Sequence, residues 1–400
     1  MLSRLRRKDL TAVPRVSFAA QAIELDGRDT IILKGVAISL IVLHNFFHAV
    51  SPAEGNEFAF HPGDFAVFLD AVRHPSLAIQ AMFSFFGYLG VPIFIFLSAY
   101  GLAKSHWEDE ASWTAFLLGR IRKLFPVFGL VILPWMLGEA VHVGVHTFAT
   151  SVVPQIALML SGVSPLVPGG GMPPVGPWWF IPFILEFYAL FFALRWLTKE
   201  FGWAGLVVLA LAGVAISSVA EPVLAPWKIN LYETPLGRLP TLCLGIGVAR
   251  YPLRVKTPLV VLAGAVLLLG NEFRSLWPFT FTAASVLALW GYMELRGLLR
   301  ESRTLARLGR YSILIFLLNG IVRDDLVRFA RTPLLQLLFG GISAAATITL
   351  AAMIQERFLQ PATVQRGEGQ GPSTKGQEPT AKEQGTGGRV IHPTTSPAGL

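Results

Sequence analysis

The chain has 400 residues, of which 53% are hydrophobic, 12% aromatic and only 14% charged, with a formal net charge of +8. So few charges cannot cover the surface of a soluble domain, and lipid is the expected solvent. The single cysteine, Cys243, excludes an intrachain disulfide framework. The basic residues are dispersed without any nucleic-acid-binding motif, so no nucleic acid partner is expected.

Residues 1–29 form a polar, basic tail (MLSRLRRKDL and onward) with no apolar region of the kind a cleavable signal carries, so the first apolar run is expected to be a retained anchor. That run, 31–50, is IILKGVAISLIVLHNFFHAV. Further stretches of the length a membrane helix needs follow at 80–103, 124–146, 178–197, 203–220, 236–250, 257–271, 275–295, 311–328 and 333–354. The expected fold is all-α: a polytopic integral membrane helical bundle of about ten transmembrane helices in one domain, 30–358. Segment 151–163 is apolar but too short to span and is expected to be interfacial or re-entrant. The stretch 163–179, VSPLVPGGGMPPVGPWW, is too rich in Pro and Gly for regular helix. The tail 359–400 is rich in Gly, Gln, Pro, Thr and charge and is expected to be disordered.

With ten spans, 25 of the 33 Lys and Arg fall in the terminal segments and the loops on their side, and seven fall on the other. That positive-inside bias places both termini in the cytoplasm. No internal repeat is visible, which weakens a transporter built from paired halves.

Several polar residues interrupt the apolar runs. Lys34 lies one turn into the first span, where it can snorkel. His44 is roughly 15 Å further along the axis, near mid-bilayer, and His48 is one turn beyond on nearly the same face. Ionisable groups at such depth are costly and usually functional; the plainer reading is two histidines hydrogen-bonded to neighbouring helices. Glu186 lies roughly 12 Å below Trp178 and Trp179, where a carboxylate can orient an imidazole or simply stay protonated in the bundle. Asn319 and Ser98 are further buried polar groups that alone read as helix–helix contacts. Arg120, Arg122 and Lys123 crowd the start of one span, as topology requires and as phosphate binding would also use. Glu139, His142 and His146 fall within about 60° on one helix face, but with no fourth ligand, and no metal is expected.

Together the segments LKGVAISLIVLHNF, GVPIFIFLSAYGL, GRIRKLFPVF, PWWFIPFILEFY and LGRYSILIFLLNG, in this order, resemble the acyltransferase-3 family of membrane O-acyltransferases across nearly all of residues 24–355. The resemblance implies a helical membrane core, acyl-CoA (acetyl-CoA foremost) taken from the cytoplasm, and transfer of the acyl group to a hydroxyl of a cell-surface glycan or glycolipid at a bacterial-type inner membrane. It puts Lys34 where the family has Arg, and His44 at the family's essential histidine, one residue short in register, with His48 as the alternative base. Arg120 and Lys123 match its Arg-x-x-Arg, and Asn319 stands where many members have His. The expected catalytic residues are therefore His44, His48 and Glu186. Lys34, Arg120, Arg122 and Lys123 are expected to hold coenzyme A, and Trp178, Trp179, Asn45 and Asn319 to meet the acceptor. The alternative from another class is a lipid or glycan flippase without acyl transfer.

Overall fold

The computed structural model describes residues 22–51, 55, 57–169 and 173–359. Most of the basic N-terminal tail and nearly all of the C-terminal tail lie outside these residues. Among the described residues all regular structure is helical, apart from one isolated antiparallel bridge between Ala22 and Arg254.

Helix α1, Gly27–His48, begins where Asp26 accepts hydrogen bonds from the backbone N–H groups of Arg28 and Asp29, while the Asp29 side chain returns a bond to Asp26. This capping box satisfies donors that a helix start leaves open. Then come α2 (Asp64–Arg73), α3 (Ala78–Phe86), α4 (Gly90–Ser105) and α5 (Trp113–Val143), which carries Pro126 and Pro134 within it. A short α6 (Val145–Thr147) leads through one π-helical turn into α7 (Val153–Ser161). Helix α8, Phe180–Leu224, runs 45 residues but breaks at Gly202, whose φ of 62° and ψ of −150° are outside helical values. After it come α9 (Leu239–Arg250), α10 (Thr257–Leu269), α11 (Trp277–Leu299), α12 (Arg303–Arg310), α13 (Ser312–Val327) and α14 (Pro333–Ile354).

All ten apolar stretches are helical, yet among the described residues five helices are long and apolar enough to cross a membrane, six if α12 and α13, bent by 76°, count as one span. The expected ten is thus not what length and apolarity give. Segments 178–197 and 203–220 share α8 on either side of Gly202, and α9 and α10 are 12 and 13 residues long. The described residues of the proline-rich stretch are irregular as expected, with short 3₁₀ turns at Ser164–Leu166 and Gly176–Trp179. Large apolar side chains such as Leu137, Val141, Val208 and Val219 stand exposed along α5 and α8. Bare apolar surface on that scale fits lipid rather than water.

The core gathers around α1, which packs against α3, α4, α12 and α13. Glycines let the backbones meet. A Cβ on Gly309 of α12 would strike the carbonyl oxygen of Ile31, and one on Gly35 of α1 would strike that of Leu305. At the start of α1, buried Asp29 accepts from the Tyr292 hydroxyl at 2.6 Å, from Arg296 at 2.5 and 3.1 Å, and from Arg300 at 2.9 Å, while Arg300 also bonds Asp26 at 2.7 Å. These bonds tie α1 to α11, which runs antiparallel to it.

Candidate active site

His44 sits on the buried face of α1 and is 6% exposed. Its Nδ1 lies 3.0 Å from the Ser84 carbonyl and 3.3 Å from that of Phe83, at the end of α3. A carbonyl can only accept, so Nδ1 carries the hydrogen and Nε2 keeps its lone pair. That tautomer is the one a general base needs. The approach is set by Gly87: a Cβ there would lie 2.6 Å from His44 Cβ. His48 stacks obliquely one turn on, ring centres 5.0 Å apart, and Tyr88 meets His44 edge-on at 5.9 Å.

Toward the start of α1 the bundle opens into a cavity of about 330 Å³, lined by Lys34 and Ile41 of α1, Tyr188 and Ile184 of α8, and Arg310 and Phe316 near the α12–α13 bend. Ile41 lies three residues before His44. The walls are mainly apolar with two cations, Lys34 and Arg310, at one end. This is the layout expected for a ligand that places anionic groups at the mouth and an uncharged reactive end inside. Arg310 was missed in the sequence because it reads as one more arginine among those of the 296–310 segment. The 76° bend that follows it, between α12 and α13, leaves it lining the same cavity as Lys34.

The α5 cluster divides. Arg120 lies over the rings of Phe116 and Tyr188, at 5.3 and 5.6 Å from their centres, and so borders the cavity through Tyr188. Arg122 and Lys123 are exposed and do not line it, although the next residue, Leu124, does. Glu186 does not orient His44, whose Nδ1 is taken by backbone carbonyls. Its buried Oε1 has no hydrogen-bond partner. Asn319 is fully buried, and neither its amide oxygen nor its amide nitrogen has a partner. Asn45, half-buried, is adjacent to His44 on α1 and turned about 100° away from it.

The two tryptophans are placed otherwise than expected. Trp178 is 0% exposed, donates its indole N–H to the Leu317 carbonyl at 2.9 Å and packs edge-on against Trp135. Trp179 is 4% exposed and meets Phe58 edge-on at 4.9 Å. Neither offers a flat face to a vestibule; Pro177 and the 3₁₀ turn direct both rings inward. The Glu139, His142 and His146 set is also dispersed, because Gly144, at φ 83°, ends α5 before His146. Among the described residues no group of three or more metal-ligating side chains is assembled.

Among buried groups the sequence reading passed over, Glu57, Glu233 and Arg238 lie together between the 57–60 segment and the start of α9. Arg238 Nη2 donates to the Glu57 carbonyl at 2.6 Å and its Nε to the Tyr232 carbonyl at 2.9 Å. Burial pushes both carboxyls up to about 7, against the pull of Arg238. They were missed because Glu57 and Glu233 sit in loops between apolar runs, Arg238 stands at the very start of one, and each reads as a solvated charge.

Comparison with curated proteins and with solved structures returns no match. The family model described as an acyltransferase domain matches residues 29–355, from the buried Asp29 through the cavity and His44 to the end of α14, and the chain belongs to that acyltransferase-3 family.

Proposed function

We propose that the protein transfers an acyl group, with acetyl the foremost candidate, from acyl-CoA to a hydroxyl of an exported or cell-surface glycan or glycolipid, with His44 as general base. The observation that carries this reading is the His44 tautomer: Nδ1–H held by Ser84, Nε2 left basic, one turn beyond a cavity with cations at its mouth. Lys34 and Arg310 bind the phosphates of coenzyme A, with Arg120 behind Tyr188. The pantetheine arm and thioester lie along the apolar walls toward Ile41.

The acceptor hydroxyl gives its proton to His44 Nε2 as its oxygen attacks the thioester carbonyl. The C–S bond breaks, and the imidazolium returns the proton to the leaving thiolate, so ester and free thiol are formed with no net proton change. The Ser84 and Phe83 carbonyls stabilise the imidazolium through Nδ1–H, the part that a carboxylate plays in serine hydrolases. Asn319, buried with both amide ends unpartnered two residues beyond the cavity-lining Leu317, would reach a substrate only by a shift of the α13 wall. A thioester from the cytoplasm and a hydroxyl from outside meet only within the thickness of the bilayer, which is why the base is buried there. The test uses purified protein in lipid nanodiscs with acetyl-CoA. Free thiol should appear only when a hydroxyl acceptor is added, and protein that binds no acyl-CoA at all would refute the reading.

A further inference from the structure

At the end of the bundle where α1 finishes, three charged side chains are buried with bonding capacity to spare. Arg238 is 1%, Glu233 6% and Glu57 9% exposed. Arg238 Nη1 and one Oε2 of each glutamate are buried with no hydrogen-bond partner. Leaving such groups unpaired is costly, the more so when they are charged, so a site that keeps three of them together is built for something that completes it. Two carboxyls face one guanidinium, so the cluster holds one more acid than it has base to pair with. The guanidinium is fixed from below by the Phe281 ring, 3.9 Å from its centre, and the Trp179 indole stabilises the Glu57 carboxylate from the side.

The cluster lies near His44 and near open space. Tyr88 packs against His44 at 5.9 Å and against Phe281 at 6.2 Å, so two rings separate the base from Arg238. On the other side, Tyr232, whose carbonyl Arg238 holds, walls a cleft of about 420 Å³ together with Phe60 and Trp277, with Ser218 and the Glu221–Arg274 ion pair also lining it. The three unpartnered atoms match a group with O–H donors for two carboxyl oxygens and an oxygen for one arginine N–H. Adjacent hydroxyls on a sugar or polyol have that pattern, and the cleft's aromatic rings suit the apolar face of a sugar.

We propose that Glu57, Glu233 and Arg238, approached through the cleft beneath Phe60, Tyr232 and Trp277, bind a vicinal diol of the acceptor. The proposal rests on the acyl-transfer reading, within which it names the acceptor's recognition chemistry; a purely structural role for the cluster would leave acceptor affinity unmoved.

The test follows thiol release from saturating acetyl-CoA by nanodisc-embedded protein, with methyl glucoside as the diol probe and cyclohexanol as an alcohol without adjacent hydroxyls. Methyl glucoside should be much the better acceptor. Glu233→Gln should raise its KM about tenfold or more, with the KM for acetyl-CoA unchanged. Arg274→Ala, at the cleft wall and 63% exposed in its side chain, tests the same path without a buried change and should raise it a few-fold. Equal KM values in wild type and both folded variants, or cyclohexanol serving as well as methyl glucoside, would overturn the subsite. If wild-type protein releases no thiol with either alcohol, the acyl-transfer reading fails, and tryptophan emission then decides the subsite by itself. Saturable quenching by methyl glucoside that Glu233→Gln weakens would uphold it, and no saturable quenching would overturn it.

Discussion

His44 owes its tautomer to a main-chain carbonyl, and its position to the absence of a side chain on Gly87. Adding one methyl group there, in Gly87→Ala, would place a Cβ 2.6 Å from that of His44 and force the ring off the Ser84 carbonyl. The expected result is a loss of kcat with donor affinity kept, measured by steady-state thiol release. The α5 cations separate in the same way. Arg120→Ala should weaken coenzyme A binding by about 1.5–3 kcal/mol if the guanidinium makes a charge-assisted bond to phosphate, while Arg122→Ala, exposed and off the cavity, should leave it unchanged. Calorimetric titration with coenzyme A distinguishes the two. Glu57 and Glu233 give a pH signature. Burial raises both carboxyls from 4.5 to about 7 against the pull of Arg238, with Tyr88 facing Glu57, Glu186 facing Glu233, and Glu233 adding to the rise at Glu57. The folded protein therefore holds protons that the unfolded chain has released between those values, so the stability they contribute is complete below pH 4.5 and declines as pH rises through 7. Glu233→Gln should flatten the fall in Tm over that interval; an unaltered slope would show that the carboxyl is not held protonated by burial.

Helix α1 was legible almost in full: its apolar run, Gly27–His48, and the burial of His44 within it both follow from residue order. Its fastening was not, because Asp29 lies 263–271 residues from Tyr292, Arg296 and Arg300, and no local pattern pairs them. Asp29→Asn would leave two arginines facing a neutral amide. Breaking a buried charged contact in this way costs about 3–5 kcal/mol, to be read as a drop in Tm of the detergent-solubilised protein. The division of α8 was half legible. Residues 178–197 and 203–220 stood out as separate apolar runs, but the positive φ of Gly202 that breaks the helix is a backbone state, visible only once Tyr251 and the neighbouring helices are packed around it. The tryptophans show the opposite failure. An interfacial role was read from residue type, whereas the indole N–H of Trp178 finds the Leu317 carbonyl inside the core and needs no interface.

At the scale of the molecule, hydropathy located the helices, of which five or six among the described residues have the length and apolarity of a span, α9 and α10 being apolar yet short. The orientation inferred from the lysines and arginines has a simple check, because Cys243 is the chain's single cysteine. In a Cys243→Ser background, a cysteine placed at His61 should be labelled by an impermeant maleimide from outside intact cells. One placed at Glu110 should react only after the membrane is opened, and labelling of both from one side would reverse or break the topology. The cavity bearing Lys34 and Arg310, the buried His44 and the cleft by Trp277 then succeed one another along the bundle, an order fitted to two substrates arriving from opposite faces. In the proposed mechanism His44 stands at their meeting point as the base. Its most direct test is acetyl transfer by His44→Ala and His48→Ala proteins in lipid nanodiscs, each first shown to bind coenzyme A as wild type does. His44→Ala should lose about 100- to 10,000-fold in turnover, with His48→Ala retaining most of it. Full turnover by His44→Ala would contradict the assignment of the base.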